Sequence, residues 1–261
     1  FRGANFLLPR VFNAHRRELA FRAFPSELQD TIDEAVANLT ESAAEFEILA
    51  AEVDHGALRA ELSIRNLAGH KLPTAHPSRR VWIHLMVRDE RGEVLFESGG
   101  FKEDGSIVGN DNDIDATRYE PHHEVISQPD QVQIYEPILA DPDGAVTTVL
   151  LSAASYAKDN RLLPVGFDKT TADEFVAVHG AAAEDDDFKA GGDVVRYEIE
   201  LRDVSGPLTI EAALWYQPIG YRWAHNLADQ TAVEIDRFIG YFEEFADSSA
   251  VVVAWARAIT E

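Results

Sequence analysis

The hydrophobic pattern changes period along this chain, and the changes divide it into segments. Leu28, Ile32, Val36 and Leu39 recur at helical spacing. Ser26 with Gln29 fits a capping box just after Pro25, which predicts a helix running to about Ala43. Ahead of it, Phe1–Arg22 also reads as helical. Phe6, Leu7, Val11, Phe12 and Leu19 lie roughly on one side, and Pro9 is a break or a first-turn residue.

From Glu45 the period becomes two. Phe46, Ile48 and Ala50 alternate with acidic positions, and Leu58, Ala60, Leu62 and Ile64 alternate with Arg59, Glu61, Ser63 and Arg65. Asp54-His55-Gly56 between these runs is a hairpin signal. Val81–Val87 is apolar at nearly every position, as in a strand covered on both faces. Asp89–Gly92 turns it into Glu93–Ser98. Tyr119–Val125 and Gln131–Tyr135 are further strand candidates, and Asp141–Gly144 is a strong turn. Val146–Tyr156 fits no single period. Val194–Arg202 and Leu208–Tyr216 alternate well and are joined by Asp203–Pro207. Ile235, Phe238, Ile239, Phe242, Phe245, Val252 and Trp255 form the stripe of a long C-terminal helix from about Ala232 to Ile259.

The expected fold is mainly β with flanking helices. It is an antiparallel β-sandwich, Ig-like or jelly-roll-like, with N-terminal helices and a long C-terminal helix. The expected division is an N-terminal helical segment 1–44, a sandwich 45–228, and a helix 229–261 packed on or beside the sandwich.

Charge and composition then narrow the chemistry. Acidic residues number 46 and basic residues 23, for a net charge of −23. Such a surface repels nucleic acid and anionic lipid, and it attracts cations or a basic protein. No apolar run reaches the length of a membrane span. The absence of cysteine removes disulfides, thiolate metal sites and any CxxCH attachment of haem within these residues. The chain starts at Phe1 without methionine or signal peptide, which suggests a processed product or a portion of a longer protein.

One segment gathers the polar chemistry. Asn66–Trp82 (NLAGHKLPTAHPSRRVW) holds two histidines, two prolines and the cations Lys71, Arg79 and Arg80 between two strands. Gly69, Pro73 and Pro77 make it a shaped loop, the usual place to display binding groups.

The run GHKLPTAHPSRRVWIHLMVRDERGEVLFESG resembles the C-terminal halves of multihaem c-type cytochromes, in which a loop of the form GHKLPTG, then PSRR, then W, joins two strands of a β-sandwich. DQVQIYEPILADPDGAVTTVLL, YAKDNRLLPVGFDK, DFKAGGDVVRYEIEL and LWYQPIGYRWAHNL resemble later parts of the same proteins, and FRGANFLL resembles the residues directly after the haem-bearing part. Ala75 stands where that loop usually has glycine, and every CxxCH motif is missing. The resemblance implies an accessory or scaffold domain in periplasmic or extracellular electron transfer, more an electron carrier than an enzyme. Its partners would be a haem-bearing segment or subunit and a redox protein, with haem c attached to upstream sequence or another chain.

Candidate residues follow. Histidine is the usual axial donor to haem iron, which singles out His70 first and His76 second. Arg79 and Arg80 could pair with haem propionates, or with the protein's own acids. His122 and His123, together with His84, could compose a copper or zinc site. Asp111, Asp113 and Asp115, with Asp104, Asn110 and Asn112, make an oxygen-rich loop suited to calcium, though without the EF-hand spacing. Glu184–Asp187 reads as a solvated acidic loop. No nucleophile elbow, phosphate loop, HExxH or dinucleotide fingerprint is present. Two competing readings are an acidic β-sandwich that binds calcium, a glycan or a protein, and a histidine-based metalloenzyme.

Overall fold

A computed structural model describes residues 4–201 and 206–260. The expected Asp203–Pro207 linker, the end of the Val194–Arg202 run and the first residues of the opening helical segment therefore fall partly outside the described residues.

Helices α1 (Leu7–Ala14) and α2 (Pro25–Ser42) lead into strands β1 (Ala44–Asp54) and β2 (Ala57–Asn66). α2 opens two residues earlier than the capping-box reading implies. Phe24 is its flanking residue, and the Glu27 carboxylate accepts the Phe24 N–H at 2.8 Å. Proline suits the first helical position because its missing N–H would have no partner there. β1 and β2 form the expected hairpin, with His55 and Gly56 both at positive φ, as a tight two-residue turn requires.

Strands β3 (Arg80–Arg88) and β4 (Val94–Ser98) form the second hairpin. A long irregular stretch carries α3 (Asp111–Ile114) and the short strands β5 (Val125–Ile126), β6 (Ile134–Tyr135), β7 (Pro137–Ala140), β8 (Val146–Thr147) and β9 (Ser155–Asp159). β10 (Gly192–Glu200), β11 (Thr209–Gln217), α4 (Tyr221–His225), α5 (Val233–Glu244) and β12 (Val251–Ile259) complete the chain.

Two sheets face each other, in the orders β1-β2-β10-β5 and β12-β11-β3-β4, with β6 also paired to β3. A small third sheet is ordered β8-β7-β9. Pairing is antiparallel except between β5 and β10, which run parallel. The core is the sum of the inward faces: Leu58, Leu62 and Ile64 of β2, Val195, Tyr197 and Ile199 of β10, Val81, Ile83, Leu85 and Val87 of β3, and Ile210, Leu214 and Tyr216 of β11. Each large side chain so buried contributes about 1.5–3 kcal/mol. The adjacent sequence runs β10 and β11 do not pair with each other but lie in opposite sheets. β3 is covered on its outer face only at one end. Trp82 is buried there against Phe101, Ile107, Val132 and Trp215, and its indole N–H donates to the Gly99 carbonyl at 2.9 Å. Gly99 has φ +75°, and a Cβ there would stand 2.2 Å from the Ile83 carbonyl oxygen, so only glycine fits.

The long C-terminal helix is corrected. α5 ends at Glu244, and Val251–Ile259 is a strand paired with β11, Ala213 opposite Trp255. The break has a local cause. Ser249 Oγ donates back to the Ala246 carbonyl at 2.7 Å and accepts the Gln217 amide at 2.7 Å, which satisfies polar groups outside a helix. Three consecutive valines then favour the extended backbone. Val146–Tyr156 resolves into β8, a turn and the start of β9. Tyr119–Val125 and Gln131–Tyr135 are mostly extended loop, with regular pairing only at β5 and β6.

Candidate functional site

The loop between β2 and β3 is held at both ends by buried polar contacts. At its start Asn66 donates to the His70 carbonyl at 2.8 Å and to the Leu162 carbonyl at 3.0 Å, and Leu72 forms a two-way backbone bridge to Leu162. Lys71 Nζ donates to the Asp159 carboxylate at 2.8 Å, where Arg161 also binds in a fork at 2.7 and 2.8 Å. Burial lowers the Lys71 ammonium, with Asp159 opposing. Burial would raise Asp159, but the hydrogen bonds and charge of Arg161 and Lys71 hold it below the ordinary range. At the loop's end Ser78 Oγ donates to the Pro218 carbonyl at 2.9 Å, and the Gly220 N–H returns to the Ser78 carbonyl at 2.8 Å. Ala75 lies between these anchors at φ +61°. That left-handed conformation accounts for glycine being favoured at this place.

Arg80 is not a surface cation. It is buried, donates to both Asp113 oxygens at 2.8 and 3.0 Å, to Gln217 Oε1 at 2.7 Å and to the Gly105 carbonyl at 3.1 Å. Its fork is fully engaged inside the protein, so it offers nothing to a propionate. Arg79 differs. One of its nitrogens donates to the Thr74 carbonyl at 3.0 Å, and the side chain lines a groove.

That groove encloses about 720 Å³, within the range of small-molecule sites. Its walls come from α1 (Leu8), the loop (His76, Ser78, Arg79), the turn after β8 (Thr148, Val149, Leu150) and the α4–α5 region (Ile219, Trp223, Leu227, Phe238). Among the described residues that line it, none is acidic, although the chain has 46 carboxylate side chains. His76 packs edge-on against Trp223 with ring centroids 5.2 Å apart. Its Nδ1 accepts the Ser78 N–H at 3.2 Å and lies 3.0 Å from Ser78 Oγ. Burial, then the neighbouring Arg79, lowers its pKa, which favours the neutral ring. Leu151, beyond the groove's lip, is fully exposed.

His70 lies outside this groove. It is exposed, and its Nδ1 contacts the Lys71 carbonyl at 3.0 Å.

The oxygen-rich loop does not converge. Asp113 is taken by Arg80, Asp111 pairs with Arg118, Asp115 accepts from the Thr117 N–H and hydroxyl at 2.9 and 2.8 Å, and Asp104 accepts from Ser106. The calcium expectation has no shared centre to rest on. The histidines also part company. His84 bonds Glu97 at 2.9 Å, His123 bonds Glu120 at 2.8 Å, and His122 is buried elsewhere.

His122 instead gathers Asp185 and Asp193, all three buried, with ligand-type atoms mutually within 4.8 Å. The amides decide what this cluster is. Gln133 Oε1 accepts the His123 N–H at 2.8 Å and Asn160 Oδ1 accepts the Glu136 N–H at 3.0 Å, so neither amide can flip. Both then aim N–H groups at His122 Nδ1, at 2.8 and 3.1 Å. Nδ1 must accept, Nε2 carries the hydrogen, and that hydrogen goes to Asp185 at 3.0 Å. No ring lone pair remains for an ion, so the cluster is a hydrogen-bonded lock rather than a metal centre. Burial raises Asp185, but bonds from His122, Asp187 N–H and Phe188 N–H outweigh it and hold that carboxyl well below its usual value. Burial raises Asp193 despite His122 and the Tyr135 hydroxyl bound at 2.7 Å. Asp185 thus leaves the solvated loop assigned to Glu184–Asp187. Asp193 had a legible signal, because it shares the inward register of Val195, Tyr197 and Ile199. Nearby, buried Lys158 donates to the Glu120 carbonyl at 2.8 Å and lies 3.5 Å from Glu136. Burial lowers Lys158 and raises Glu136.

No family model matches the chain, and no curated protein matches it. No described helix is long and apolar enough to cross a membrane. A solved structure with a similar fold is that of a penta-heme cytochrome c552 from Thermochromatium tepidum, at 17% sequence identity and a TM-score of 0.51. The likeness covers 86% of this chain but 41% of that one, so the chain has the fold of part of a multihaem cytochrome.

Proposed function

We propose that this chain is the β-sandwich companion of haem c groups carried on other sequence, in an extracytoplasmic electron-transfer protein. It shields a haem from water and supplies the surface on which the haem-bearing part docks. The observation that supports this most is the groove beside α1. It is apolar and free of carboxylates in a chain of net charge −23, and such a wall suits a flat, apolar, anionic group. The penta-heme neighbour supports the same reading at the level of fold. Its remaining 59% of chain leaves ample length for a haem-bearing region, and the opening residues, which lead into α1, resemble those that follow such a region.

The residues present fit that group. His76 and Arg79 are the ionisable lining residues, and both are basic. When bound, haem supplies one-electron chemistry. This chain would exclude water through Leu8, Ile219 and Trp223 and balance propionate charge through Arg79. The test is to isolate the native particle with an antibody against this domain and record its absorption spectrum. A Soret band co-purifying with the domain is the expected result. A colourless particle without a cytochrome subunit contradicts the proposal.

A further inference from the structure

The small third sheet carries a second cavity, which the companion role does not use. It encloses about 260 Å³ beside β9 and the turn Glu174–Val176, and it shares no lining residue with the groove beside α1. Three of its lining side chains are aromatic rings, Tyr156, Phe175 and His179, and one is a carboxylate, Glu174. Leu139 and Ala153 add apolar wall. The backbone places each ring. Tyr156 lies in β9 opposite Leu139 of β7. His179 is bridged both ways to the Asp159 backbone at 3.0 and 3.2 Å, and its ring centroid stands 5.4 Å from that of Tyr156. Phe175 sits on a turn capped by Asp173, whose carboxylate accepts the Phe175 N–H at 3.0 Å. That turn leaves Phe175 83% exposed, so folding gains little from its ring.

We infer that this cavity binds an alkylated ammonium group, such as the trimethylammonium head of a choline-like small molecule, held against the Tyr156 and Phe175 rings and neutralised by Glu174. The inference does not depend on the companion role. Charge complementarity selects the occupant. Asp159 takes the cations Lys71 and Arg161, and among the described residues no cation pairs with Glu174. Arg161 lies 6.0 Å from the Tyr156 ring centroid, but its charge is committed to that Asp159 fork. Aromatic faces carry negative potential, so they attract a cation, and a weakly hydrated one most. A neutral apolar ligand would leave the Glu174 carboxylate unused, and an anion would be repelled by it. A bare metal ion would find one carboxylate and no second acid among the lining residues.

The test titrates choline into the isotope-labelled chain at moderate salt and follows the backbone amides by NMR. Saturable shifts at Tyr156, Phe175 and His179 are expected. The neutral isostere of choline, with carbon in place of nitrogen, should move the same amides far less. Glu174→Gln should weaken choline binding about fivefold, as for the loss of one exposed ion pair. Phe175→Ala should weaken it about threefold, as for the loss of one exposed cation–π contact. Both side chains are exposed, so both variants should keep the native spectrum elsewhere. Glu198→Gln, on the exposed outer face of β10, should bind as the native chain does. Shifts that never saturate and spread over the acidic surface would show a counterion only and overturn the site. Equal binding of the isostere, or choline binding unchanged in both Glu174→Gln and Phe175→Ala, overturns it as well.

Discussion

Ala75 and Arg80 show how single residues set this loop. Ala75 sits in the left-handed region, which costs a non-glycine residue about 1–2 kcal/mol. Ala75→Gly removes that cost and adds back some unfolded-state freedom. The expected net is a gain of about 0.5–1 kcal/mol, measured as a higher urea midpoint at unchanged slope. Arg80 illustrates the opposite case. Its guanidinium neutralises a carboxylate buried with it, and removing one partner leaves the other charge stranded. Arg80→Ala is expected to cost about 3–5 kcal/mol in the same assay. A loss under 1 kcal/mol would mean that Asp113 is satisfied without it. The sequence placed both arginines in one motif but could not say which points inward. Alternation decides it: Arg80 opens β3 and faces Gln217 of β11, while Arg79 is still in the loop.

At the scale of elements, the buried lock around His122 ties the 120–136 stretch to the start of β10. Its titration has a definite sign. The Asp185 and Asp159 carboxyls are held below their ordinary value of 3.8 in the folded chain. Their contribution is complete above that value and is lost as pH falls below it. Glu136 and Asp193 are raised by burial. The folded state binds their protons more readily, so their contribution to stability rises as pH falls through their raised pKa values toward about 4, their unfolded range. The expected profile therefore drops steeply below about pH 4, where the Asp185 and Asp159 contributions are lost. Asp185→Asn should lower stability at pH 7 and flatten the acid limb, checked by urea denaturation at pH 7, 5 and 3. An acid limb as steep as the native one would show that other carboxyls control it. Most regular elements were legible because one face of each is buried: β2, β3, β10 and β11 follow their alternation, whereas β1 follows it only to Ile48, after which a bulge exposes Ala50 and turns Ala51 toward the core. The lock was not legible, because Asp185 and His122 are separated by 63 positions and nothing local marks their meeting. The strand Val251–Ile259 was missed because Phe242, Phe245, Val252 and Trp255 also fit a helical stripe. A serine-rich break and three valines outweigh that spacing.

For the whole molecule, the acidic surface and the basic groove work on different length scales. If the proposed role holds, a charge of −23 would stabilise the ferric state of a nearby haem and lower its potential. Salt screens that field within about 10 Å at 0.1 M. The potential of a groove-bound haem should therefore rise with ionic strength, tested by spectroelectrochemistry from low to high salt. A potential indifferent to salt would mean that surface charge does not reach the iron. The proposed companion role makes one statement about position: the haem-bearing region would sit against the carboxylate-free groove. A density map of the native assembly tests this directly. The account predicts a haem in contact with Leu8, His76 and Trp223, and a map with that groove open to solvent, or filled by polypeptide alone, would contradict it.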